Sequence, residues 1–124
     1  MALNLALADW SLHLYRLPYE REVNWANAIE SAGTLAILRL VSAGGAVGIA
    51  EGTINANRSG VSPRSLTAAL EDFIVPRLHG LDLADADSVS RALASIPDNR
   101  QAKAMVETAC LPIMPSRLPP KRAH

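Results

Sequence analysis

The hydrophobic periodicity of this chain changes once, and that change limits the fold more than any other feature. Up to residue 51 the apolar residues come in short runs with a period near two. From Ser62-Pro63 to Leu111 they recur with helical spacing. A period of two places alternate side chains on opposite faces of a strand, and a period near 3.6 gathers them into one stripe of a helix. Strands followed by helices, in 124 residues, imply a single α+β domain in which the helices cover one face of an antiparallel sheet.

Leu12 and Leu14 alternate with His13 and Tyr15, which predicts a first strand. Leu3, Leu5 and Leu7 run in the opposite phase, so a bulge or a strand start is expected near Asp9. Pro18, which cannot donate to a ladder, is expected to end this strand, leaving residues 19–32 as a long polar connection. Thr34 to Val41 reads as the second strand, Gly44-Gly45 as a turn, and Ala46 to Glu51 as a short third strand. The three form an antiparallel β-meander.

Ser62-Pro63 is a helix start: the hydroxyl can cap free N–H groups and proline fits the first helical position. Leu66, Leu70, Phe73, Ile74 and Leu78 then form one apolar stripe, with Pro76 expected to kink the last turn and Gly80 to end it. A second helix starts at Asp85 or Asp87, carries Val89, Leu93 and Ile96, and stops at Pro97. Asp98 or Asn99 caps a third, bearing Ala102, Met105, Val106 and Ala109. A three-helix bundle on the meander follows.

Charge and composition remove several function classes. Twelve Lys and Arg balance twelve Asp and Glu, so no strong field draws the chain to nucleic acid or an anionic membrane. The longest uncharged stretch, Leu40 to Ala50, is far shorter than the roughly 20 residues of a membrane span. The N-terminus has no basic residue ahead of its short apolar stretch, unlike an ordinary signal peptide. A cytoplasmic protein is expected. The single cysteine, Cys110, excludes an internal disulfide and a cysteine-based zinc cluster, and reads as a buried, inert thiol. His13, His79 and His124 have no ligand-spaced neighbour. The Asp82, Asp85, Asp87 run reads as helix-start capping. The Gly44, Gly45, Gly48 group lacks dinucleotide-fingerprint spacing and a following helix. No Ser-His-Asp signature, metal cluster or acid/base pair stands out.

Several pieces together resemble a known pattern: Leu17-Pro18 after the first strand, TLAILRLVSAGGAVGIAEGT at 34–53, Ser62-Pro63, FIVPRLHGLD at 73–82 and NRQAKAMVETACL at 99–111. Their order and spacing are similar to the N-terminal capping domain of the mandelate racemase/muconate lactonizing enzyme group of the enolase superfamily, nearest to muconate cycloisomerases. The resemblance implies the enolase N-terminal fold over residues 1–111, with no barrel. Complete members of the group join the cap to a β/α barrel that supplies the acid/base lysines and three carboxylates for a divalent metal, magnesium or manganese. That metal stabilises an enolate-like intermediate as a proton beside a carboxylate is removed, or as a lactone ring opens and closes. This chain by itself is then expected to bind no cofactor and to meet a small carboxylate substrate only with a barrel.

By position, two pocket-shaping loops map onto Tyr19, Val23, Asn24 and Trp25, and onto Thr53, Ile54 and Asn55. Glu51 stands at the family's Gly-x-Gly-Glu strand end, with Ala50 in place of the second glycine, and reads as a structural carboxylate. After Ala109-Cys110-Leu111 the likeness stops at Pro112. The last thirteen residues hold four of the eight prolines, three basic residues and no acid, and are expected to be a disordered or loosely docked tail over 112–124. Three origins are consistent with that break: a truncated or frame-shifted cap, inactive alone and prone to self-association through its barrel-docking face; a stand-alone interaction or ligand-binding module; or, least favoured, a complete small enzyme.

Overall fold

The computed structural model describes residues 5–24 and 29–113. Three antiparallel strands in the order β1-β2-β3 form one open sheet: β1 (Leu7–Asn24), β2 (Ile29–Ser42) and β3 (Val47–Ile54). Helices follow: α1 (Ala56–Ser59), α2 (Pro63–Ala68), a π-helical segment (Ala69–Ile74) that continues into α3 (Val75–Leu78), then α4 (Ala86–Ala94) and α5 (Arg100–Cys110). The expected α+β meander with helices on one face is what the chain adopts, without a barrel among the described residues.

Register places the core. Trp10, Leu12 and Leu14 of β1 stand opposite Leu40, Leu38 and Ala36 of β2, which in turn stand opposite Gly48, Ala50 and Gly52 of β3. This face lies under the helices, and Ala36, Leu38 and Leu40 are fully buried there. Leu66, Leu70, Ile74, Leu78, Val89, Leu93 and Val106 meet them from the helical layer. Each such leucine contributes about 1.5–3 kcal/mol by leaving water. The register slips between Leu7 and Asp9, so the expected bulge is present and rephases the leucines on either side of it.

Two expectations about the strands fail. Pro18 does not end β1; it pairs in register with Ala32, and the ladder resumes at Val23 and Asn24 after a second slip. The connection expected at 19–32 is therefore largely a hairpin. β1 is an edge strand with a ladder partner on one side only, which is where a sheet tolerates proline.

The helix from Ser62 to Leu78 also departs from expectation. Its start is as read: the Ser62 hydroxyl accepts from the Ser65 amide at 3.1 Å while the Ser65 hydroxyl accepts from the Ser62 amide at 2.9 Å. Its middle, however, widens into a π turn, and the Val75 amide donates to the Leu70 carbonyl, five residues back. Pro76 has no amide to donate and its ring crowds the carbonyl four residues earlier, and the wider turn relieves that conflict. The extra residue rotates Phe73 out of the stripe, to 53% exposure, and brings Val75 in.

Gly80, at φ +78, ends this helix as expected. Asp85 caps α4, accepting from the Ser88 amide and hydroxyl; those bonds hold its carboxyl below the ordinary value. Asn99 occupies the N-cap position of α5, but its side chain donates to the Pro97 carbonyl instead of accepting from the helix. Asp98 and Asn99 both have positive φ, a conformation these two residue types tolerate better than most. Ile113 is buried and its amide donates to the Cys110 carbonyl, so the folded body extends two residues past Leu111. The rest of the basic tail, 114–124, lies outside the described residues.

Candidate functional site

β1 and β3 both run antiparallel to β2, so their C-terminal ends point the same way. The two segments mapped as pocket-shaping therefore emerge from one end of the sheet. The row Arg16, Thr34, Ile54 is the last one shared by all three strands; beyond it the β1–β2 hairpin projects alone. The backbones of Tyr19, Val23 and Asn24 lie in this projection, and Trp25 lies outside the described residues. On the other strand Thr53 is exposed, Asn55 is half-buried, and Ile54 points into the core at 6% exposure. In this chain the apolar member of the second segment is thus a core residue, and the polar pair Thr53 and Asn55 is what it presents.

Local chemistry holds the second segment in place. The Asn55 carbonyl accepts from the Ser59 amide at 2.9 Å and the Ser59 hydroxyl at 2.9 Å, closing α1 as a single turn. Gly60 then adopts φ +76, and its amide donates to the Ala56 carbonyl. From the far side Gln101 donates its side-chain amide to the Thr53 carbonyl at 2.9 Å. Gly52 makes that approach feasible, because a Cβ there would stand 2.9 Å from the Met105 sulfur and 3.1 Å from the Gln101 amide nitrogen. Gln101 carries no sequence signal for this role: it lies 48 residues from its partner, and glutamine in a first helical turn is unremarkable.

Beside this end, a depression of about 670 Å³ runs between Ser59–Val61 and Asp98–Gln101. Its walls offer hydroxyls, amides, the Asp98 carboxylate and the Arg100 guanidinium. These groups can bind and orient a polar ligand; they form no nucleophile–base pair. Among the described residues, no three His, Cys, Asp or Glu side chains are grouped to hold a metal ion. Glu51 is exposed on the opposite face of the sheet from the helices. Cys110 is fully buried, and burial together with nearby Glu107 pushes its thiol up to about 11, so it is no nucleophile at neutral pH. No helix among the described residues is long and apolar enough to cross a membrane.

No protein-family model and no curated protein matches the sequence. Solved structures do match. The muconate lactonizing enzyme from Pseudomonas fluorescens, in complex with muconolactone, is 28% identical over 87% of this chain, with a TM-score of 0.79. A mandelate racemase/muconate lactonizing protein from Herpetosiphon aurantiacus is 19% identical over 89% of the chain, with a TM-score of 0.75. The dipeptide epimerase from Enterococcus faecalis V583, complexed with Mg and a dipeptide, is 18% identical over 85%, with a TM-score of 0.74. In each case the chain spans about 30% of the longer protein. The layout of meander and helices is thus shared with part of each of these longer proteins. This chain has the fold of the N-terminal capping domain of the mandelate racemase/muconate lactonizing enzymes, within the enolase superfamily.

Proposed function

We propose that this domain is the substrate-covering cap of a muconate cycloisomerase-like enzyme, acting on a small carboxylate held by a β/α-barrel domain. The observation that carries the reading is the convergence of the β1–β2 hairpin and the Thr53–Asn55 segment at one end of a sheet whose fold matches such caps. Active sites of β/α barrels lie at the C-terminal face of the strands, and a lid over that face excludes water and shapes the pocket. Tyr19, Val23, Asn24 and Trp25 form one wall in this reading, and the Thr53–Asn55 segment the other, with Thr53 and Asn55 offering the polar contacts and the buried Ile54 anchoring the segment to the core.

The chemistry of the complete enzyme is proton abstraction beside a carboxylate or cycloisomerisation, on groups the barrel supplies. The Enterococcus dipeptide epimerase is complexed with Mg. The described residues of this chain do not fit that ion, having no grouped carboxylates or imidazoles, and the metal belongs to the barrel in this reading. In this reading the acid/base groups too belong to the barrel, and the domain by itself is expected to turn over no carboxylate.

Grafting tests the proposal. Residues 1–113 replace the capping domain of the Pseudomonas fluorescens enzyme, and turnover of muconolactone is measured. The expected result is an active chimera whose KM rises on Asn55→Ala while its fold is unchanged. A folded chimera that is inactive, or whose kinetics ignore both segments, refutes the cap reading. So does turnover of a carboxylic acid by the 124-residue chain alone.

A further inference from the structure

An antiparallel sheet with one solvated face ordinarily alternates apolar residues inward with polar residues outward. This sheet does so only in part: Asp9, Ser11, His13, Arg39, Glu51 and Thr53 face outward, but half of the outer positions are apolar or aromatic. On the face turned away from the helices, Tyr15, Val47 and Ile49 are 47%, 39% and 51% exposed, and Leu35, Ile37 and Val41 lie between them, partly covered. Tyr15 is backed by the His13 ring at a centroid distance of 6.4 Å. Two exposed charges of opposite sign stand in the middle: Arg39 opposite Ile49, and Glu51 opposite Ile37, on adjacent rows.

We propose that this outer face is a homodimer interface, in which two copies of the chain stack sheet on sheet. The charge arrangement selects the second copy as occupant. A two-fold axis crossing the strands between the Arg39 row and the Ile37 row lays Arg39 of one copy over Ile37 of the other. It then lies one strand, about 4.8 Å, to the side of the second copy's Glu51. The same operation makes the reciprocal pair, and keeps the two Arg39 side chains apart. Ile49 of each copy falls over the aliphatic stem of the other's Glu51. The zero net charge of the chain adds no long-range repulsion.

The size of the patch sets the strength. Three strands by four rows cover roughly 14 Å by 27 Å, on the order of 400 Å² per copy. That is the size of a functional patch on a monomer and about half of what a stable interface buries on each side. The dimer is therefore reversible, with an affinity that is micromolar or weaker. This face is distinct from the sheet end that carries the paired segments, and the inference does not depend on the cap reading.

Sedimentation velocity on the 124-residue chain, from about 5 to about 500 µM, reads the association directly. The wild-type chain is expected to pass from monomer to dimer in that range, and Ile49→Lys to stay monomeric. Arg39→Glu and Glu51→Arg alone are each expected to weaken association about tenfold, and the double swap to restore it. All three positions changed are exposed strand sites, and circular dichroism confirms the fold of each variant. A wild-type chain that is monomeric throughout overturns the proposal, as does association that Ile49→Lys leaves intact. A double swap no stronger than the singles overturns the two-fold arrangement.

Discussion

Gly48 is where the helical layer comes closest to the sheet, and replacing it with alanine is the sharpest test of how the domain packs. A Cβ built on Gly48 lies 1.6 Å from the carbonyl oxygen of Ala109 and 2.7 Å from its carbon. Real Cβ contacts essentially never fall below 3.0 Å. To move from 1.6 to 3.0 Å, α5 must retreat by about 1.4 Å, or β3 must bend away from it. The obstruction is helix backbone, which cannot swing aside as a side chain can. A gap of 0.5–1 Å already forfeits a quarter to a half of a dispersion contact, and the retreat opens such gaps around Met105, Val106 and Ala109, all buried against the sheet. Overpacking ordinarily costs 1–3 kcal/mol; with rigid backbone as the obstacle and three core residues lifted, about 3–5 kcal/mol is expected for Gly48→Ala. At a urea slope of ~1.5 kcal/mol per molar, the unfolding midpoint falls by roughly 2–3 M, which takes a domain of ordinary stability close to the edge of folding. Gly45→Ala is the control. It has φ +90 and no atom within 4 Å of the new methyl, so it bears only backbone strain of about 1–2 kcal/mol. A loss below about 1 kcal/mol for Gly48→Ala, or one no larger than the control, refutes the close approach of α5 to β3.

Two further outcomes follow from the geometry. Gln101→Leu removes the bond to the Thr53 carbonyl; a global loss of about 1 kcal/mol is expected, and the Ser59 and Gly60 amides that close α1 should exchange up to about tenfold faster, whereas unchanged exchange there would show that α1 is held by something else. Cys110, with its thiol pushed up to about 11, should react with a disulfide reagent at pH 8 only after denaturant is added. Because its folded value lies above the unfolded value of 9.0, its contribution to stability is complete below pH 9 and is lost as pH rises toward 11; pH titration of the urea midpoint, compared with Cys110→Ala, reads this, and an identical pH dependence in both proteins contradicts it.

The architecture was legible from the residues because its signals are local. Alternation in Leu12 to Tyr15, the bulge at Asp9, the Ser62-Pro63 start, the Gly80 stop and the stripes of the last two helices each depend on neighbours within a turn or a strand. The failures have local causes that tertiary context reversed. Pro18 was read as a stop, yet it sits on a strand whose other edge is free. Phe73 was read as core, yet the π turn ahead of Pro76 rotated it outward.

Residue order on its own determined the succession of strands and helices and the likeness to a cap, since periodicity, capping residues and motif order are carried along the chain. Only the tertiary structure decided that the two mapped segments share one end of the sheet, that Gln101 grips Thr53, and that Gly48 must lack a side chain for α5 to lie down. It alone also gathered Tyr15, Ile49 and their neighbours into one exposed patch. Those facts are distances between residues remote in sequence. Strand register and helix–sheet packing set such distances, and no short window of residues contains them.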